Sequence, residues 1–174
     1  VTGVESPPDG HPPDPETLRR ALGSFVTGVT VVTTRDAVGA PHGFTANSFT
    51  SVSLDPPLVL VCVGYEVERM DAYRRCPGFA INVLDASQRA LSDRFATKRP
   101  DRFDGVRWRP GTHGAPILEG CIAALECAPW RRIEAGDHMI LIGRVLRCEA
   151  ADDRRPLAYW RGNYRRLSCT GRPA

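Results

Sequence analysis

Between Thr27 and Trp160 the chain is written in short runs of β-branched and apolar residues, each closed by a turn signal, and that pattern leaves few folds open. Thr27 to Thr34 (TGVTVVTT) precedes a turn over Asp36 to Pro41. Gly43 to Ser53 (GFTANSFTSVS) alternates small polar and apolar residues, as a half-buried strand does. Asp55-Pro56-Pro57 then breaks the chain before Leu58 to Val63 (LVLVCV), which has the length of a buried strand. Phe79 to Leu84, Cys121 to Trp130, His138 to Cys148 and Leu157 to Trp160 complete the strands, with a turn at Ala135-Gly136-Asp137 joining the two long ones. Helices enter singly. One starts at Asp14-Pro15, where Asp caps and Pro suits the first turn, and carries Leu18, Leu22 and Phe25 on one face. Others cover Val67 to Cys76 and a stretch from Asp85 or Ser87 to about Thr97.

Regular alternation of strand and helix is missing, so a parallel doubly wound sheet is disfavoured and a mainly β, mostly antiparallel barrel is expected. Neither G-x-G-x-x-G after a strand nor G-x-x-x-x-G-K-[ST] occurs. The 174 residues suit one domain. Prolines at 7, 8, 12 and 13 make residues 1–13 read as a disordered leader, with one domain over 14–168 and a short tail over 169–174.

Charge and cysteine usage exclude several classes. A formal net charge of +3, with arginines scattered rather than massed, argues against nucleic acid. No apolar run approaches the roughly 18 residues that span a bilayer, and no signal peptide is visible, so a cytoplasmic protein without a membrane anchor is expected. Cys62, Cys76, Cys121, Cys127, Cys148 and Cys169 contain no C-x-x-C pair and no neighbouring histidine set, so reduced thiols are expected and a metal site is not.

The segment Pro41-His42-Gly43-Phe44-Thr45-Ala46-Asn47-Ser48-Phe49-Thr50-Ser51-Val52-Ser53 places amide and hydroxyl groups beside two phenylalanines. An aromatic heterocycle with hydrogen-bonding edges and a phosphate tail needs both kinds of surface. A Ser/Thr-rich strand with one solvated face gives the same composition, and both readings stand at this point. His138, after Gly136-Asp137, reads either as a structural residue opening a strand or as a functional imidazole.

From Leu18 to about Arg166 the chain resembles the small flavin reductases that partner two-component monooxygenases. The resemblance is carried by Phe-Val-Thr-Gly-Val-Thr-Val-Val-Thr (25–33) and Gly-Phe-Thr-Ala-Asn-Ser-Phe-x-Ser-Val-Ser-Leu-x-Pro-Pro-Leu-Val (43–59). It continues through Ser-x-Arg-Phe-Ala (92–96) with Lys98, Asp-Arg-Phe (101–103), Gly-Ala-Pro-Ile-Leu-Glu-Gly (114–120), Gly-Asp-His (136–138) and Arg-Gly-x-Tyr (161–164). Each motif is weak alone; their order and spacing carry the match.

The resemblance implies a split β-barrel, Greek-key-like, with a few short flanking helices, and a homodimer. It implies an enzyme that reduces FMN or FAD with NADH or NADPH and supplies the reduced flavin to a monooxygenase. Flavin contacts carry over onto Pro41, Gly43, Thr45, Ala46, Asn47 and Ser48, onto Cys62, Val63 and Gly64, and onto Ala96 and Thr97. Ser51, Arg94 and Lys98 carry over as phosphate-side or adenine-side contacts, and Arg161, Gly162 and Asn163 as part of the nicotinamide site. His138 is then the catalytic candidate, orienting nicotinamide or stabilising charge on the reduced ring. A split-barrel oxidase with tightly held FMN and a non-catalytic flavin-binding module are the alternatives.

Overall fold

The expected helix at Asp14-Pro15 forms: α1 (Pro15–Leu22) is capped by the Asp14 carboxylate, which accepts from the backbone N–H groups of Glu16 and Thr17. The computed structural model describes residues 11–167, so most of the expected leader and all of the expected tail lie outside the described residues. After α1 come β1 (Thr27–Gly28) and β2 (Thr30–Arg35), separated at Val29. There the chain changes sheets, its N–H bonding Leu157 and its carbonyl accepting from Leu84. The single strand expected over 43–53 is two, β3 (Pro41–Ala46) and β4 (Thr50–Leu54), with Asn47 to Phe49 outside both. β5 (Pro57–Gly64) follows the Asp55–Pro56 turn.

The helix expected over 67–76 is only α2 (Met70–Arg75), because Arg69 ahead of it adopts a left-handed conformation, φ 61°. β6 (Phe79–Val83) and α3 (Arg89–Ala96) match expectation closely. β7 (Trp108–Pro110) and β8 (Pro116–Leu118) form a small hairpin that no periodicity announced. β9 (Ala123–Ala135) runs beyond the expected end at 130, since it pairs with β10 (His138–Ala150) along its length. The two meet at a two-residue turn in which Gly136 has φ +61°. β11 (Ala158–Trp160) and β12 (Asn163–Arg165) close the chain, joined by Arg161 and Gly162, both at positive φ as a two-residue hairpin turn requires.

The main sheet has the order β3-β2-β6-β9-β10-β5-β4 and is antiparallel throughout. β3 and β4 are its two edges, yet only residues 47–49 join them. Laid flat, seven strands would hold these edges roughly 29 Å apart. The short link can reach about 14 Å. The sheet must therefore curl until its edges nearly meet, giving a barrel with one open seam. The fold is mainly β, antiparallel and Greek-key-like, with short flanking helices, as expected.

Inside the barrel, Val59, Val61 and Val63 of β5 pack with Val32, Phe44, Tyr73, Phe79, Met139 and Leu141. A second core of Val31, Leu84, Phe95, Leu118 and Leu157 lies outside it, beneath α3 and β8. β2 is consequently buried on both faces, and its threonines spend their hydroxyls on carbonyls: Thr30 on Ala46, Thr33 on Pro116 and Thr34 on Gly78.

Candidate functional site

A cleft of about 370 Å³ opens along the seam. Its floor follows from strand alternation. In β5 the odd-numbered residues 59, 61 and 63 point inward, which turns Cys62 and Gly64 toward the cleft. The same alternation turns the Val63 side chain away from the cleft, fully buried in the barrel core, and leaves only its backbone to the floor. Ala46 from β3 and Ala96 from the end of α3 complete a surface of small side chains. A flat ring needs such a floor.

Ser48 shapes the seam rather than awaiting a ligand. Its hydroxyl accepts from the Cys62 N–H at 3.0 Å and donates to the Cys62 carbonyl at 3.2 Å, replacing a strand neighbour where β4 has not yet begun. Thr45 likewise donates to the Ser92 carbonyl at 2.7 Å and so ties β3 to α3. Asn47 differs: it is exposed at the rim and, among the described residues, its side-chain amide makes no hydrogen bond.

His138 stands at the other rim, first residue of β10 and cross-strand partner of Gly64. Its Nδ1 lies 2.6 Å from the Asp137 carboxylate, while Nε2 lies over Gly64. That hydrogen bond, with the imidazole's charge when protonated, holds the Asp137 carboxyl below the usual carboxylate range. The imidazole remains about half exposed, accessible to whatever enters the cleft.

The third wall was not anticipated. Arg102 is only 9% exposed, and its guanidinium donates to three separate elements. Nε reaches the Thr97 carbonyl at 2.7 Å, Nη1 the Gly43 carbonyl at 3.0 Å, and Nη2 the Glu68 carboxylate at 2.9 Å. Beside it Lys98 pairs with Glu66 at 3.3 Å. The only signal for Arg102 was its place in the Asp-Arg-Phe motif; Glu66 and Glu68 carried none.

The cleft thus gathers Thr45, Ala46, Asn47, Ser48, Cys62, Gly64, Ala96, Lys98 and His138 of the expected set. Others lie elsewhere. Gly43 and Pro41 face a neighbouring hollow beyond the Arg102–Glu68 bridge. Gly43 is required by packing, since a Cβ there would come within 2.6 Å of the Phe95 ring. Thr97 caps α3 and serves Arg102 through its backbone. Ser51 is exposed on edge strand β4, opposite Val59. Arg94 bonds the Asp104 carbonyl beside a separate groove. Arg161 and Gly162 form the exposed β11–β12 turn, with Asn163 opening β12 beside it, and the turn is held near α1 by the Arg161 N–H to the Gly23 carbonyl. His42 is partly buried and bonded to Asp36 at 2.9 Å.

Volume alone does not select this cleft: a hollow bordered by Arg109, Cys121 and Arg154 measures about 450 Å³. What selects the seam is the convergence of an unspent amide, an accessible imidazole and two cations over a floor of small residues.

The family model described as "Flavin reductase like domain" matches residues 22–168. A Rhizobium meliloti (strain 1021) protein described as "Probable flavin reductase" is 51% identical over 151 residues. That match covers 87% of this chain but 48% of the relative, so the chain spans about half that relative's length. The reductase subunit HsaB of a flavin-dependent monooxygenase from Mycobacterium tuberculosis (strain ATCC 25618 / H37Rv) is 42% identical, with 87% of this chain and 81% of HsaB covered. Among solved structures, the NADH:FAD oxidoreductase SgcE6 of Streptomyces globisporus C-1027, in complex with NAD and FAD fragments, superposes with a TM-score of 0.86 at 43% identity. Coverage there is 91% of this chain and 96% of that one.

Proposed function

Because the chain belongs to the flavin reductase-like domain family, we propose that it is an NAD(P)H:flavin oxidoreductase that reduces FMN or FAD and supplies the reduced flavin to a partner monooxygenase. The single observation that carries this reading is the seam itself, with Ala46, Cys62, Gly64 and Ala96 as a flat floor between Asn47 and His138. The residues fit a flavin: small side chains lie where a planar ring needs clearance, an amide without a hydrogen bond among the described residues stands at its edge, and Lys98 and Arg102 flank one end.

When both are bound, nicotinamide and flavin carry the hydride chemistry between them. The chain binds, aligns and shields. Asn47 offers a donor and an acceptor to the polar edge of the ring. Ser48 fixes the floor by locking Cys62 across the seam. His138, oriented by Asp137, would hydrogen-bond a nicotinamide entering the cleft and offset negative charge on a reduced flavin there. Hydride transfer between two such rings calls for no strong general acid.

The reading includes a homodimer in the cytoplasm. Leu18, Leu22, Phe25 and Val26 form an exposed apolar stripe on and after α1, which a second copy would cover. The five described cysteines are free thiols, which suits a reducing compartment. The test is steady-state oxidation of NADH and NADPH by the purified chain with FMN and with FAD. Flavin-dependent turnover is expected. No oxidation above the enzyme-free blank in any of the four combinations refutes the assignment, and a protein that holds FMN through dialysis yet ignores nicotinamide is an oxidase instead.

A further inference from the structure

Two ion pairs bridge one end of the cleft side by side. Lys98 Nζ lies 3.3 Å from Glu66, and Arg102 Nη2 lies 2.9 Å from Glu68. Both carboxylates come from the segment between β5 and α2, and both cations from the residues after α3. All four side chains line the cleft. The pairs differ in firmness. Lys98 and Glu66 have side chains 66% and 95% exposed, whereas those of Arg102 and Glu68 are 11% and 38% exposed. An exposed pair of this kind opens at little cost. Arg102 is different again: without Glu68 it would still be fixed by the carbonyls of Thr97 and Gly43.

We infer that Glu66 and Glu68 hold the places of a cofactor phosphate on Lys98 and Arg102, and that binding of a phosphate-bearing cofactor exchanges these carboxylates for phosphate oxygens. The inference rests on the flavin reading above and extends it to the charged end of the site. Carboxylate and phosphate oxygens both accept charge-assisted hydrogen bonds from a guanidinium, so a phosphate oxygen can take the place of the Glu68 oxygen on Arg102 Nη2. The carboxylates keep both cations neutralised and in position. They also compete with the ligand, so they lower its affinity. Lys98 is the mobile half of the site and Arg102 the fixed half.

The consequence is counterintuitive for acidic residues in a binding site: removing their charge tightens binding, and only for ligands that carry phosphate. The phosphate can belong to the flavin or to the nicotinamide dinucleotide, and calorimetric titration at low ionic strength with riboflavin, FMN and NAD⁺ separates the two. Glu66→Gln should tighten FMN by about two- to fivefold, the scale of an exposed ion pair. Glu68→Gln should tighten it further, and riboflavin should be unchanged in both. Lys98→Met should weaken FMN and leave riboflavin alone. Tightening of NAD⁺ in place of FMN assigns the same pair to the dinucleotide phosphate. The inference is overturned if no phosphate ligand tightens in either Glu variant, or if riboflavin shifts as much as FMN. If the unaltered chain binds riboflavin and FMN but the variants show no difference, this inference alone falls; if it binds neither flavin, the functional reading falls with it.

Discussion

The imidazole of His138 lies over Gly64, its cross-strand partner: a Cβ built on Gly64 would stand 3.4 Å from Nε2 and 3.6 Å from Cδ2. The glycine leaves the ring free to rest on the cleft floor while Asp137 holds its other nitrogen. His138→Ala should therefore lower kcat/KM for the reduced nicotinamide by about tenfold or more. Its unfolding free energy should change by less than about 0.5 kcal/mol, because the side chain is half exposed. Gly64→Val, which pushes the ring away, should lower turnover as well. Full turnover in His138→Ala removes the residue from the mechanism.

Gly43 is a packing glycine, and its substitution should cost stability. An added Cβ would lie 2.6 and 2.8 Å from two carbons of Phe95, a ring only 1% exposed and itself packed edge-on against Phe103. Gly43→Ala should destabilise by about 1–3 kcal/mol. Chemical denaturation reads this directly. An unchanged midpoint means the β3–α3 contact is softer than described.

The cysteines should divide by environment under alkylation with iodoacetamide. Burial pushes the Cys127 thiol up to about 12, so it should stay unmodified at neutral pH until the chain unfolds. Exposed Cys148 should react readily. Cys62 lines the cleft, and saturating FMN should slow its modification several-fold while leaving Cys148 unaffected. Equal rates for Cys62 with and without FMN would place the flavin elsewhere.

Asp36 ties stability to pH. A hydrogen bond from His42, with backbone donors at Ala40 and Val38, holds its carboxyl below the usual range. A depressed carboxylate contributes stability above its unfolded value, near pH 4, and loses it as pH falls through the lower folded value. Asp36→Asn should flatten the acid limb of a stability–pH curve and leave the slope near neutrality alone. Parallel acid limbs for both proteins would contradict the assignment.

The strands over 58–63, 79–84 and 138–148 were legible because each is a continuous apolar or β-branched run bounded by turn residues. The break between β3 and β4 was not. The alternation of 43–53 continues straight through Asn47 to Phe49, and what interrupts it is the Ser48 bridge to Cys62, a contact between distant segments. The loop before α2 read as helix for a related reason: Arg69 turns left-handed and Glu66 and Glu68 are held by Lys98 and Arg102, none of which local propensity encodes. Three-residue strands such as β7, β8 and β12 are too short to show a period. In the site, residues on the floor and rim were found through the family motifs. Arg102 lies in the Asp-Arg-Phe motif, yet its role was not legible there, because its burial depends on acceptors from three elements converging on it.

The most direct test of the account is a crystal structure of the chain with FMN. The flavin ring is expected in the seam, over Ala46, Cys62, Gly64 and Ala96, with Asn47 at its edge and the His138 side open to a second ring. A flavin bound at any other surface, with the seam left closed by the chain's own side chains, would contradict it.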